Sequence, residues 1–308
     1  MWSPFRRNTQ APATPPRPAL QFPLHRNDRF APFFIVGSGR SGTTLMRRMV
    51  QANGQVHIPP EITVMGPVIH LFRQYNAMQW SELVHLIFAR FEFHPESDVF
   101  NVSLRPLVQQ LVKVPPESRS LAMLLDRFYR YHGEQTAGPC DRWGDKTPLN
   151  SFYLTEIDSI FPDARYVHML RDGVDVVHSM LQQAHRYTVA SASARWKDAV
   201  HAVQTFAQTS PQRCLEIRYE SLVREPSAVA RRVCDFLDVA FDPRMIETDP
   251  DVKGLDDVRH LDYHANAFKP IVADGIGKGR RTLSESQRRH VQELIGTNLE
   301  RLGYESAV

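Results

Sequence analysis

Phe33-Phe34-Ile35-Val36-Gly37-Ser38-Gly39-Arg40-Ser41-Gly42-Thr43-Thr44-Leu45-Met46 decides how the rest of the chain is read. The apolar run from Phe33 to Val36 predicts a short buried strand. Gly37, Gly39 and Gly42 permit a tight loop whose backbone N–H groups turn inward. Thr43, Thr44 and the following Leu-Met-Arg-Arg-Met then open a helix, whose N-terminal N–H groups and dipole favour an anion. Strand, glycine loop and helix together predict a phosphate cradle.

The loop has the outline of a nucleotide-binding P-loop, but Thr43 stands where an NTPase carries its lysine. A cation sits inside the loop instead, as Arg40. That favours a nucleotide with a compact 5′ anion over an NTP handled through Mg²⁺. A turn that merely joined strand to helix would not need two hydroxyls and an arginine beside its glycines.

Working outward, the other strands fall into the same pattern. Val56-His57-Ile58 is an apolar strand stopped by Pro59 and Pro60, because proline removes ladder donors. Glu61 is therefore expected at the carboxyl edge of the sheet, where ligands of open α/β sheets bind. Arg165 to Leu170 reads as a further strand, turned by Arg171-Asp172-Gly173 into a helix over 174–183. Arg171 and Ser179, on that turn and that helix, are expected to face one anionic group. Cys214 to Tyr219 is another strand, and Tyr219 at its end is suited to stack on a base or bond a phosphate. An amphipathic helix follows over 226–237.

Between these strands lie less regular stretches. Residues 66–138 turn helical, with helical spacing clearest in 121–131, and predict a cap on the acceptor side of the sheet. Trp143-Gly144-Asp145-Lys146 reads as a loop, after which Thr147 caps a helix running to Phe161. Residues 249–270 read as a charged loop. Gly275-Ile276-Gly277-Lys278-Gly279-Arg280-Arg281 combines backbone freedom with cations and is read as a mobile lid on an anionic ligand. Ser284-Glu285-Ser286-Gln287 is a capping box for a last helix ending near Gly303.

Composition agrees with a globular α/β protein. The chain of 308 residues is 42% hydrophobic and 23% charged, enough for one large domain over 31–308 behind a flexible, proline-rich leader over 1–30. A net charge of +3 suits a focused basic pocket and does not call for a nucleic-acid partner. Cys140, Cys214 and Cys234 are scattered and lack metal-ligand spacing, so reduced thiols of a cytoplasmic protein and no metal are expected. No apolar run has the length of a transmembrane segment.

Taken in order, these motifs resemble the PAPS-dependent sulfotransferase family, over most of residues 33–304. The Gly-x-x-Arg-Ser-Gly-Thr-Thr-Leu-Met loop is similar to the family's 5′-phosphosulfate motif, and Leu170-Arg171-Asp172-Gly173 with Ser179 to its 3′-phosphate motif. Tyr219-Glu220-Ser221-Leu222 and the closing Leu-x-x-Leu-Gly-Tyr match as well. Within the family the chain looks most like a bacterial branch related to tyrosylprotein sulfotransferases. Gln183, however, stands where those enzymes carry a further arginine, so the resemblance stops short of a protein-tyrosine acceptor.

The resemblance implies a P-loop-type three-layer fold with a central parallel sheet, PAPS as co-substrate and PAP as product. It implies that Gly39, Arg40, Ser41, Gly42, Thr43 and Thr44 hold the 5′-phosphosulfate, that Arg171 and Ser179 hold the 3′-phosphate, and that Tyr219 touches the nucleotide. Lys278 and Arg280 are grouped with these contacts. Glu61 stands at the position of the general base, and Lys146, with Arg40, beside the leaving group. The acceptor is a hydroxyl on a glycan, a lipid or another small metabolite; no code for it, or for oligomeric state, is legible. A P-loop small-molecule kinase using ATP and Mg²⁺, or a non-catalytic nucleotide-binding protein, is the alternative expectation.

Overall fold

The computed structural model describes residues 20–26, 30–95, 97–183, 186–247 and 270–308. Strands β1 (Phe33–Gly37), β2 (Val56–His57), β3 (Arg142–Asp145), β4 (Arg165–Leu170) and β5 (Cys214–Arg218) form a parallel sheet in the order β2-β3-β1-β4-β5. In the middle lies β1, with Phe33 opposite Gly144 on one side and Arg165 on the other. Its residues are buried throughout because helices cover both faces of the sheet. Alternation sends Phe34 and Val36 into one core and Phe33 and Ile35 into another. This is the three-layer P-loop-type fold expected from the sequence.

One strand is an addition. Arg142–Asp145 pairs with β2 and β1 although Trp-Gly-Asp reads as loop. Gly144 explains the placement: a Cβ there would lie 2.3 Å from the Phe33 ring, so only glycine lets that ring pack across β3. The stretch after it also differs from expectation. Thr147 makes no side-chain cap and instead donates through Oγ1 to the Ile62 carbonyl at 3.4 Å. Beyond Thr147 the chain makes a 3₁₀ turn over Pro148–Phe152 and a short helix over Leu154–Asp158, where the sequence predicts one continuous helix.

Residues 66–138 are largely helical, in α2 (Met65–Gln74), α3 (Trp80–Glu92), α4 (Arg105–Leu111) and α5 (Leu121–Thr136), following α1 (Thr43–Gln51). Their apolar faces do not form a separate lobe: Phe72, Leu83, Ile87 and Phe128 share one core with Phe34 and Val36. Trp143 of β3 stacks on Tyr129 of α5 at 3.9 Å, while its indole N–H donates to Asp126 at 2.8 Å. Numbering the short helix Leu154–Asp158 as α6, the chain continues through α7 (Gly173–Leu181), α8 (Val189–Thr209), α9 (Tyr219–Arg224), α10 (Pro226–Leu237), α11 (Lys278–Thr282) and α12 (Glu285–Arg301). The predicted capping box of the last helix is present, with Ser284 and Gln287 bonding each other's backbone. Helix α8 is not among the elements expected from the sequence; its Thr188–Ser191 capping box and buried Trp196 are the signals that mark it.

Residues 20–26, expected to belong to a flexible leader, are instead anchored. Phe22 is buried against Trp80 and exchanges two hydrogen bonds with Asn76, while the Pro23 and Leu24 carbonyls accept from the start of α5. Residues 1–19, and all of the predicted loop over 249–270 except Pro270, lie outside the described residues.

One buried polar contact ties β2 to α5. His57 Nε2 lies 2.9 Å from His132 Nδ1, and both rings are buried. Burial, with His132 and Arg47 adding like charge, pushes the His57 imidazole down to about 3 from its ordinary 6.5. Between those values the unfolded chain binds a proton that the folded one does not. Stability therefore falls as pH falls from 6.5, by up to about 1.4 kcal/mol per pH unit. Urea unfolding followed between neutral and mildly acid pH is expected to show this slope, and His57→Gln to flatten it by about one proton.

Candidate active site

A parallel sheet sends all its carboxyl ends to one edge, and there each strand hands the chain to a residue marked in the sequence. From β1 the chain enters loop 38–44, from β2 it reaches Glu61 through the two prolines, and from β3 it enters Lys146; β4 and β5 lead into Arg171 and Tyr219. Strand order reverses beside β1, which makes this edge the crevice where such folds bind ligands.

The loop is held tightly. Gly37 has φ 135°, and a Cβ there would lie 2.4 Å from the Met169 carbonyl oxygen of β4. Its N–H donates to Ser151 Oγ at 2.9 Å. Gly42 begins α1 with φ 91° and no side-chain cap; the first intrahelical bond runs from Met46 N–H to the Gly42 carbonyl at 3.0 Å. The N–H groups of Thr43, Thr44 and Leu45 in that first turn therefore point out of the helix end uncapped. The missing Cβ of Gly42 also leaves room for the Tyr219 ring, which would otherwise lie 2.7 Å from it.

Arg40 joins the two motifs. Its backbone is left-handed, with φ 68°, and its Nε donates to Ser179 Oγ at 3.0 Å. Arg171 in turn donates from Nη1 to the Arg40 carbonyl at 3.0 Å and from Nη2 to the Gly275 carbonyl at 2.9 Å. The Arg171 guanidinium lies 4.1 Å over the Tyr219 ring. Loop 38–44, Arg171, Ser179 and Tyr219 thus form one cluster. Ser41 Oγ and Arg171 Nε are buried there and have no hydrogen-bond partner among the described residues. Unpaired donors of this kind beside an uncapped helix start fit a ligand with two separate anionic groups.

Neighbouring acids are committed elsewhere. Asp172 pairs with Arg280, and Arg280 gives its remaining donors to the Glu305 and Ser306 carbonyls. Burial pushes the Asp172 carboxyl up, against the pull of Arg280. Glu220 accepts from the Asp172 N–H at 3.0 Å and from Tyr304 at 3.2 Å, and the Trp196 indole donates to the Arg171 carbonyl at 3.0 Å. The segment expected to be a mobile lid is pinned instead: Asp175 accepts from the N–H groups of Gly277 at 2.8 Å and Gly279 at 2.7 Å, and Lys278–Thr282 is a helical turn. Lys278 is exposed, and burial together with its charge pushes the His178 imidazole down. Of the two cations grouped together from the sequence, Arg280 is turned to Asp172 and the C-terminal segment and is not free for a ligand.

The second part of the site is an ion pair. Lys146 Nζ lies 2.5 Å from Glu61 Oε2, with the lysine side chain 2% exposed and the glutamate 36%. Behind it Asp145 is buried, accepting from Tyr129 at 2.5 Å and Asn150 at 2.8 Å, and burial pushes its carboxyl up. The 3₁₀ turn after Lys146 packs on the glycine loop, with Pro148, Leu149 and Phe152 sharing a narrow cleft with Gly37, Ser38 and Gly39. Among the described residues there is no cluster of metal ligands, and no helix is long and apolar enough to cross a membrane.

Sequence reasoning missed Ser151 and the backbone-holding roles of Asp175 and Glu220. For Asp175 a signal existed: Arg171, Asp175 and Ser179 recur every four residues and so share one side of α7 and its leading turn. Ser151 carried none, and Glu220 was marked only as part of Tyr219-Glu220-Ser221-Leu222, because their backbone partners lie far away in the chain.

Known proteins share both the sequence pattern and the fold. The sequence profile described as "Sulfotransferase family" matches residues 32–243. Over 289 residues the chain is 25% identical to protein-tyrosine sulfotransferase A of Caenorhabditis elegans, covering 90% of this chain and 68% of that protein. Over 314 residues it is 23% identical to omega-hydroxy-beta-dihydromenaquinone-9 sulfotransferase Stf3 of Mycobacterium bovis, covering 89% and 75%. The solved sulfotransferase domain of the Synechococcus PCC 7002 olefin synthase shares the fold, with TM-score 0.58 at 23% identity over 91% of this chain and 98% of that one.

The close approach of Gly42 to Tyr219 yields a double-mutant prediction. Gly42→Ala is expected to lower stability by about 1–3 kcal/mol through overpacking and a strained φ. Adding Tyr219→Ala should recover part of that loss, read as a less-than-additive shift in urea midpoint.

Proposed function

The chain belongs to the sulfotransferase family, and from that premise we propose how its residues divide the work of moving a sulfuryl group from PAPS to an acceptor hydroxyl. The family's reaction leaves PAP. In it the acceptor oxygen forms a bond to sulfur while the bond from sulfur to the 5′-phosphate oxygen breaks. Negative charge grows on that phosphate oxygen, and a proton must leave the acceptor. The protein has to position both partners and stabilise the departing anion.

In this division, loop 38–44 with the first N–H groups of α1 receives the 5′ end, and Arg171, Ser179 and Lys278 receive the 3′-phosphate. Tyr219 lies against the nucleotide. The single observation that carries the proposal is the pair of bonds Arg40 Nε to Ser179 Oγ and Arg171 Nη1 to the Arg40 carbonyl, each 3.0 Å. They join the two anion-binding motifs, so one adenosine bisphosphate spans both.

Glu61 is proposed as the general base and Lys146 as the cation at the leaving oxygen. A buried lysine without a counter-charge is costly, by about 3–5 kcal/mol when a pair is broken. The 2.5 Å contact with Glu61 meets that need in the free enzyme. When an anionic donor supplies a second partner for Lys146, the Glu61 carboxylate is released to accept the acceptor proton. The two residues thus wait on each other.

The acceptor is proposed to be a hydroxyl on a glycan, a lipid or another small metabolite. Relatives act on chemically distant acceptors, a protein tyrosine in one and a hydroxylated menaquinone in the other. Gln183, in place of an arginine of the tyrosylprotein enzymes, supports a non-protein acceptor. Labelled sulfate transferred from PAPS into a cell extract, followed by identification of the labelled species, tests this directly. Label confined to protein would overturn it.

Two variants separate the roles. Glu61→Gln is expected to lower kcat by roughly 10²–10⁴-fold while PAP still binds. Arg171→Ala should instead raise the Kd for PAP by about ten- to a hundred-fold, the loss of one or two charge-assisted bonds. Turnover assays and calorimetric titration with PAP check the pair; a fully active Glu61→Gln enzyme removes the base assignment.

A further inference from the structure

We infer that Asp175, a residue touching neither nucleotide nor acceptor, is the positioning residue that gives the site its preference for a 3′-phosphorylated nucleotide. The inference rests on the proposal that Arg171, Ser179 and Lys278 form the 3′-phosphate subsite. Asp175 is 1% exposed and lies in the first turn of α7, between Arg171 and Ser179. A buried carboxylate next to an anion site opposes the ligand unless its charge is satisfied locally. Here it is satisfied by backbone, since both oxygens accept N–H groups, from Gly277 at 2.8 Å and Gly279 at 2.7 Å.

Those two bonds fasten the segment 275–279 onto α7, and three features of the subsite depend on where that segment sits. The Gly275 carbonyl accepts from Arg171 Nη2 at 2.9 Å, which turns the guanidinium and leaves its Nε buried without a partner. Lys278 lies between Gly277 and Gly279, so the same bonds fix the backbone from which its exposed side chain extends. Gly279 seats against α7 so closely that a Cβ would lie 2.4 Å from the Val174 carbonyl. Asp175 therefore holds the segment that orients Arg171 and carries Lys278. Its carboxylate is spent on the backbone of the segment and takes no donor from Arg171 or Ser179 on either side.

Asparagine at this position keeps the shape but presents an NH₂ to one of two N–H donors, so one bond is lost and a donor is left facing a donor. The test compares calorimetric affinities for PAP and for adenosine 5′-monophosphate, which lacks the 3′-phosphate, in wild type and Asp175→Asn. The wild type is expected to prefer PAP. In Asp175→Asn that preference should fall by ten-fold or more, with the affinity for the monophosphate within about two-fold of wild type. An unchanged preference in a folded variant overturns the inference and leaves the proposed function standing. A wild type that does not distinguish the two nucleotides overturns the 3′-phosphate assignment itself. Should Asp175→Asn not fold, hydrogen exchange on the native protein decides: PAP, and not the monophosphate, should slow exchange of the Gly277 and Gly279 amides, and equal protection by both ligands overturns the inference.

Discussion

The pairing of β1 with β4 governs the geometry of the site. Five registered pairs run from Phe33 opposite Arg165 to Gly37 opposite Met169, so the glycine loop and the Arg171 turn leave the sheet side by side. A slip of one residue would exchange the two faces of β1, sending Phe34 and Val36 to the core now filled by Phe33 and Ile35. It would also place a side chain where Gly37 now meets the Met169 carbonyl. Hydrophobic register and anion-site spacing are therefore one constraint. The buried phenylalanines that stabilise the sheet are also what set Arg40 within reach of Ser179.

Charge at the strand tips follows a consistent rule: cations are held by neutral groups, and acids are neutralised away from the ligand. Arg171 is oriented by two backbone carbonyls and an aromatic face, none of which removes its positive charge. Asp172 is matched by Arg280, and Asp175 by peptide N–H groups. Had Arg171 paired with either aspartate, its donors would be spent and its charge cancelled. The glycine loop obeys the same rule from the other side, since Gly42 as the N-cap of α1 offers no side-chain oxygen to the N–H groups of the helix start. At Lys146 and Glu61, by contrast, opposite charges meet directly, and each is the other's partner.

Much of this was legible in the sequence because it depends on local pattern. Apolar runs ending in glycine, proline or arginine gave strands β1, β2, β4 and β5, and Ser284 with Gln287 gave the start of the last helix. Spacing alone related Arg171 to Ser179. What escaped was set by contacts distant in sequence. Strand β3 has little strand propensity and exists because Gly144 accommodates the Phe33 ring and Trp143 stacks on Tyr129. The lysine- and arginine-bearing segment after Gly275 looked free because nothing in its own composition reveals that a buried aspartate on α7 holds it. The anchoring of Phe22 likewise depends on Asn76 and Trp80, far along the chain.

The sequence separations across β1 have a consequence for biogenesis. Its first hydrogen-bonded neighbours begin at Gly144 and Arg165, and even the bond between Gly37 and Ser151 spans 114 residues. During synthesis the most apolar strand of the protein emerges early and remains unpaired until β3 and β4 have been made. Non-local parallel pairing of this kind is slow, and an unpaired apolar edge invites association with other chains. The nascent polypeptide accordingly carries β1 unpaired over the interval in which α2 to α5 are translated, the helices that share one core with Phe34 and Val36 in the folded protein.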